Sequence, residues 1–120
     1  MFLRGIRGAT TVTENTPQHI LNETQTLLEA LISENNVFIH DIASIFFSVT
    51  NDLNADFPAK AAREMGLEHT PLLCMTEIPV PNSLTKCIRI LIHVNTKKSN
   101  RELKHIYLKD AVRLRPTPHA

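Results

Sequence analysis

The sequence predicts one small domain, α/β or α+β, with helices covering one face of a mixed β-sheet. Two observations carry this. Four stretches read as strands and two as helices, in the order β–α–β–α–β–β with a short final element. The chain has 120 residues without an internal repeat, low-complexity block or linker, so residues 1–120 form a single domain. A chain of this size buries only about two-thirds of its unfolded surface. Its core is therefore modest, and self-association is a natural supplement.

The first element is the strand in "MFLRGIRGATTV". Leu3, Gly5, Arg7 and Ala9 fall on one face, and Arg4, Ile6 and Gly8 on the other. Glycine inside a strand marks a bulge or a close approach. "TPQHILNETQTLLEALISENN" is the clearest helix, with Thr16 at the N-cap and Pro17 at the first turn. Leu21, Thr24, Leu28, Leu31 and Ile32 form its apolar stripe, widened by Ile20 and Leu27. In "DIASIFFSVTND" Ile45, Phe47 and Val49 alternate with Ser44, Phe46 and Ser48, which favours a strand. "FPAKAAREMG" is a short helix between Pro58 and Gly66, with Lys60 and Arg63 on one face.

"TPLLCMTEIPVP" is a short strand that must end near Pro79 or Pro81. "CIRILIHVNT" is the strongest strand: Ile88, Ile90, Ile92 and Val94 face the core, and Cys87, Arg89, Leu91 and His93 face away. "KKSNRELKHIYL" holds a polar turn, a helical turn and a short extended piece. The prolines and polar end of "DAVRLRPTPHA" point to a loosely held tail, flexible over 116–120.

Composition narrows the function. A net charge of +1 argues against a general nucleic-acid binder. No apolar run is long enough to span a bilayer, so no membrane partner is expected. The start of the chain lacks the pattern of a secretory leader, and the expectation is a cytoplasmic protein with Cys74 and Cys87 reduced. There is no glycine-rich phosphate loop, nucleophile elbow or zinc-ligand spacing among the six histidines. No metal or cofactor is expected.

Several side chains remain as candidates. Arg89 reads first as a solvated strand residue; against that, it shares its face with Cys87 and Leu91, an apolar setting for a wet surface, and a covered arginine needs an anionic partner. Glu77 reads as an ion-pair partner or a site carboxylate, and Cys74 as a small buried residue or a ligand contact. Those two are three apart, so they converge only at a strand end or bulge. Tyr107 is the sole tyrosine, suited to a core or to a ligand. Taken singly, Arg7, Arg63 and Arg115 are solvated charges. The residues alone point to an anion site and no further.

Read together, "RGIRGATTV", "FPAKAARE", "CMTEI", "KCIRILIHV" and "HIYLKDAVRLRP" resemble the monofunctional chorismate mutases of the trimeric pseudo-α/β-barrel class. The resemblance runs over nearly the whole chain. It implies an α+β homotrimer, with a mixed sheet carrying one long and one short helix on one face. It implies active sites between subunits and conversion of chorismate to prephenate, on the way to phenylalanine and tyrosine. Arg89 would contact the ether oxygen of the breaking bond and a carboxylate. Arg7 would bind a carboxylate with help from Tyr107. Glu77 and Cys74 would hydrogen-bond the ring hydroxyl. Phe57 and Arg63 would come from the adjacent subunit or the rim, and Leu114 and Arg115 would lie near the entrance.

Overall fold

The structure, a computed structural model, describes residues 1–115. The residues of the expected flexible tail, 116–120, lie outside the described part. Strand β1 runs over Phe2–Thr11, helix α1 over Pro17–Glu34, β2 over Ile42–Val49, α2 over Ala59–Glu64 and β3 over Leu72–Thr76. Strands β4, Cys87–Thr96, and β5, Ile106–Tyr107, follow. Single turns of 3-10 helix at Ile39–Asp41 and Asn100–Glu102 and a longer one at Lys109–Leu114 fill the gaps. The strands form one sheet in the order β3-β2-β4-β1-β5. β4 lies antiparallel between β1 and β2, while β3 and β5 pair in parallel at the two edges, so the sheet is mixed.

β4 sits at the centre because its alternation is the strictest. Ile88, Ile90, Ile92 and Val94 are all buried, and β-branched side chains suit a pleated, packed surface. Ile6 on β1 and Ile45 and Phe47 on β2 join them on the same face. Burying each such side chain stabilises the fold by about 1.5–3 kcal/mol. No helix among the described residues is long and apolar enough to cross a membrane.

α1 starts as its sequence specifies: the Thr16 side chain accepts the His19 N–H at 3.1 Å, and Pro17 opens the helix. Its buried residues are Ile20, Thr24, Leu27, Leu28 and Leu31. Leu21 and Ile32, expected in the stripe, are only half-buried, so the packed face is centred on Ile20 and Leu27 instead. The cause lies in the sheet. A Cβ on Gly8 would stand 3.0 Å from a Leu27 methyl, 3.2 Å from a Leu31 methyl and 2.8 Å from the Ile106 carbonyl oxygen. The bare backbone of Gly8 is the slot into which α1 packs. Thr24, inside this apolar face, satisfies its hydroxyl by donating to the Ile20 carbonyl at 2.7 Å.

Asn35 ends α1 and is buried. Its side-chain amide donates to the Leu31 and Lys104 carbonyls, and its oxygen accepts the Lys104 N–H at 2.7 Å. The helix end is thereby tied to the segment that leads into β5. α2 buries Ala59, Ala61 and Ala62 and leaves Lys60 and Arg63 exposed. Gly66, at φ +96, turns the chain out of it.

The described part of the closing segment, up to Arg115, is held on the sheet. Residues 109–114 form a 3-10 helix against β1, with Ala111 fully buried beside Ala9 and Cys87. Lys109 pairs with Glu23 of α1, and the Leu108 N–H donates to the Ala9 carbonyl at 2.9 Å. The small side chains of Ala9 and Ala111 let this piece lie close to the sheet.

Gly8→Ala should lower stability by about 1–3 kcal/mol through overpacking, read as a fall in Tm of several degrees. An unchanged Tm would mean that α1 is free to move off the sheet.

Candidate active site

Helices α1 and α2 cover one face of the sheet, and Arg7, Glu77, Arg89 and Tyr107 gather toward the other. Paired residues of neighbouring strands point the same way. The register sets Met75, Ser48, Arg89, Ala9 and Tyr107 side by side across all five strands. The next row holds Leu73, Phe46, Leu91 and Arg7. Arg7 and Arg89 are therefore diagonal neighbours on adjacent strands. Both line a broad hollow of about 530 Å³ together with Phe46, Ser48, Met75 and Leu91.

Glu77 follows β3 directly, and its N–H continues the pairing by donating to the Val49 carbonyl at 2.7 Å. That places its carboxylate over the end of the row. Oε2 lies 3.0 Å from Arg89 Nε and accepts the Ser48 hydroxyl at 3.0 Å. Both contacts fall on one oxygen, which leaves Oε1 for another donor. The ion pair runs through Nε, which leaves the two terminal NH₂ groups of Arg89 for other acceptors. The Arg89 side chain is 46% exposed and that of Glu77 28%, so the pair contributes only about 0–1 kcal/mol to stability. Its effect is to fix orientation.

Tyr107 is half-buried and packs on Ala9, Cys87 and Ala111, where Leu114 and Leu84 also lie. Leu114 thus stands beside the same end of the row. Arg115 follows on the surface, its N–H donating to the Val112 carbonyl. Arg7 is exposed, and its backbone N–H donates to His105 Nδ1 at 3.1 Å.

A second group lies across the edge strand β3. Cys74 pairs with Phe47, so it points to the helix side, half-buried against the core. Within one chain it does not meet Glu77; the two keep to the opposite faces that their spacing implies. Phe57 is 68% exposed and shares with Cys74 a hollow of about 360 Å³ bordered by Asp56, Pro58 and Met75. Arg63 on α2 is near enough for its charge to act on the Cys74 thiol, although burial dominates and raises that thiol's pKa. Burial also pushes Cys87 up, to about 11. Both thiols stay protonated at neutral pH and are poor nucleophiles.

The sequence reading passed over Ser48 and His105. Ser48 showed only as one of the outward residues of β2, and its place opposite Arg89 needs the β2–β4 register. The signal for His105 was its position two residues before Tyr107. No group of three or more metal-ligating side chains forms among the described residues. Ser44 lies 3.4 Å from His93, long for a hydrogen bond, and no carboxylate orients that ring among the described residues. The arrangement suits an anionic ligand that also carries a hydroxyl: two guanidiniums on paired strands for negative charge, and one carboxylate with an unused oxygen to accept an O–H.

Comparison with known proteins gives the chain a family. The family model for chorismate mutase type I matches residues 3–117. The chain belongs to this family. It is 45% identical over 117 residues to the chorismate mutase AroH of Bacillus subtilis (strain 168), covering 97% of this chain and 92% of that one. Identity to the chorismate mutase AroH of Thermus thermophilus is also 45%, over 116 residues, covering 96% and 95% of the two chains. A solved chorismate mutase from Clostridium thermocellum superposes with a TM-score of 0.90 at 53% identity, covering 91% of this chain and 97% of the other. The α+β fold with a mixed sheet thus accords with the family.

The raised pKa of Cys87 has a consequence for stability. The unfolded thiol ionises near its ordinary 9.0 and the folded one near about 11. The contribution is complete below the unfolded value and is lost as pH rises through the folded one. Tm should fall between those limits, and Cys87→Ala should flatten the fall; parallel curves for the two proteins would show the thiol to be uninvolved.

Proposed function

We propose that the family activity, isomerisation of chorismate to prephenate on the way to phenylalanine and tyrosine, is carried out here by the Arg7–Arg89–Glu77 face of the sheet. The cleft is completed by a neighbouring copy in a homotrimer of pseudo-α/β-barrel form. The observation that carries the proposal is the Glu77 carboxylate held on one oxygen by Ser48 and Arg89.

The reaction is an intramolecular [3,3] rearrangement: one C–O bond breaks, one C–C bond forms, and no proton moves. It asks for two things. The substrate must be held compact, with its enolpyruvyl arm over the ring. Fixing both carboxylates and the hydroxyl selects that conformer, and restricting geometry in this way lowers barriers by several kcal/mol. Arg7 binds one carboxylate with Tyr107 beside it, and Glu77 Oε1 accepts the ring hydroxyl.

The reaction also needs charge at the ether oxygen, which grows negative as its bond stretches. Arg89 supplies it from a strand fixed on both sides, so the donor is oriented before the barrier is reached. With Nε against Glu77, its terminal NH₂ groups serve the ether oxygen and a carboxylate together.

A trimer accounts for two further features. The face around Arg89 is apolar for a wet surface, with Leu3 60% and Leu73 53% exposed beside Met75 and Leu91. Phe57, Arg63 and Cys74 stand across β3 from the arginines, where one copy can offer them to the next. Cys74 then reaches the hydroxyl of a substrate held by its neighbour, as a positioning group. Leu114 and Arg115 border the entrance. A cytoplasmic setting suits the reduced thiols, and the whole chain, 1–120, acts as one domain.

Arg89→Lys keeps the charge but cannot hold Glu77 and also donate two bonds to substrate. Its kcat should fall by about 10²–10³ or more, followed as loss of chorismate absorbance. Its mass in solution should stay at three times the 13.5 kDa chain. Near-normal turnover would refute the assigned role, and a monomeric wild type would refute the shared cleft. Cys74→Ala should keep substantial activity; a covalent substrate adduct on Cys74 seen by mass spectrometry would overturn its role as a positioning group.

A further inference from the structure

We infer that His105 is a positioning residue for substrate binding, holding the backbone of Arg7 through its ring nitrogen. This rests on the assignment of Arg7 to a substrate carboxylate.

β5 is two residues long and pairs with β1 only at Gly8 and Ala9. The Arg7 N–H lies one step beyond the end of that ladder. It would face an open edge, and instead the His105 imidazole takes it, Nδ1 accepting at 3.1 Å. The side chain extends a two-residue strand by one more bond.

The place of that bond matters. Arg7 lies between Gly5 and Gly8, and glycines loosen the backbone around it. Arg7 is exposed, and neither a salt bridge nor a side-chain hydrogen bond fixes its guanidinium among the described residues. Its β4 neighbours set the strand from one side. The His105 bond is what sets it from the other at this residue. Arg89 differs, since it sits on a strand paired along both edges and is braced by Glu77.

The ring can do this only in the neutral form that carries its proton on Nε2. The surroundings favour that form. Partial burial of the ring and, after it, the Arg7 charge both lower the His105 pKa from its ordinary 6.5. The charge that acts on the ring is that of Arg7 on β1, and Lys104 precedes the ring in the chain. Neither stabilises an imidazolium.

A residue that orients a carboxylate-binding arginine affects binding more than the chemical step, which Arg89 governs. His105→Asn keeps an acceptor oxygen where Nδ1 stands, and His105→Leu has nearly the same shape without one. The experiment measures KM and kcat for chorismate in both variants, in Arg7→Ala, and in the double variant His105→Leu/Arg7→Ala. His105→Leu should raise KM by about 3–10-fold with kcat within about twofold, and His105→Asn should restore KM. In the Arg7→Ala background, His105→Leu should add nothing to KM.

Three results would overturn the inference: an unchanged KM in His105→Leu, equal loss in the Leu and Asn variants, or full additivity with Arg7→Ala. If Arg7→Ala itself left KM unchanged, the carboxylate assignment would fail first and the role of His105 with it. A rise in KM with a matching fall in kcat, and a lowered Tm in both His105 variants, would reduce the residue to a structural one.

Discussion

The pleat of β4 governs the molecule. Side chains alternate strictly along a strand, so four β-branched residues on one side of it oblige Arg89 to stand on the other. Because β4 is paired along both edges, its register cannot shift alone. A slip by one residue would carry an arginine into the core and an isoleucine row into water. The same burial that stabilises the fold therefore aims the guanidinium. The site inherits its rigidity from the core and needs little stabilising energy of its own.

That division explains why the charged cluster can be energetically modest and still decisive. A partly exposed ion pair adds little to folding. Held between Ser48 and Arg89, however, the Glu77 carboxylate has one oxygen occupied and one presented. The arginine likewise has one nitrogen engaged and its fork left over. Under the proposed assignment, each group is restrained by the part of it that substrate would not use. A rearrangement that moves no proton would gain from such restraint, because order at the site is most of what it asks for.

The core face of β4 was legible in the sequence, since a row of Ile and Val facing a row with Arg89 and His93 has a single reading; for β1 and β2 the alternation was visible but not which side met the core. The N-cap of α1 and the stop at Gly66 were legible for the same local reason. What lay beyond was tertiary. The rotation of α1 toward Ile20 and Leu27 follows from the gap at Gly8, which belongs to a different element. The partnership of Ser48 with Glu77 depends on how β2 and β3 align against β4. His105 acts on a backbone group 98 residues away and Asn35 on one 69 residues away, and no spacing rule reaches that far. The resemblance named the candidate site residues. Their separation into two groups on either side of β3 needed coordinates.

β5 shows what such distant contacts accomplish. Two residues make no persistent strand by themselves, and an edge of this length would ordinarily fray. This one is a short span moored at both ends. Asn35 grips the backbone at Lys104 ahead of it, and the Leu108 amide and the Lys109–Glu23 pair hold it behind. Between the moorings, Tyr107 has a fixed address on the sheet despite its position near the end of the chain. Its hydroxyl is thus carried by a segment that borrows its stiffness from helix α1. The amides of this span should exchange with solvent more like those of a central strand than like those of an edge.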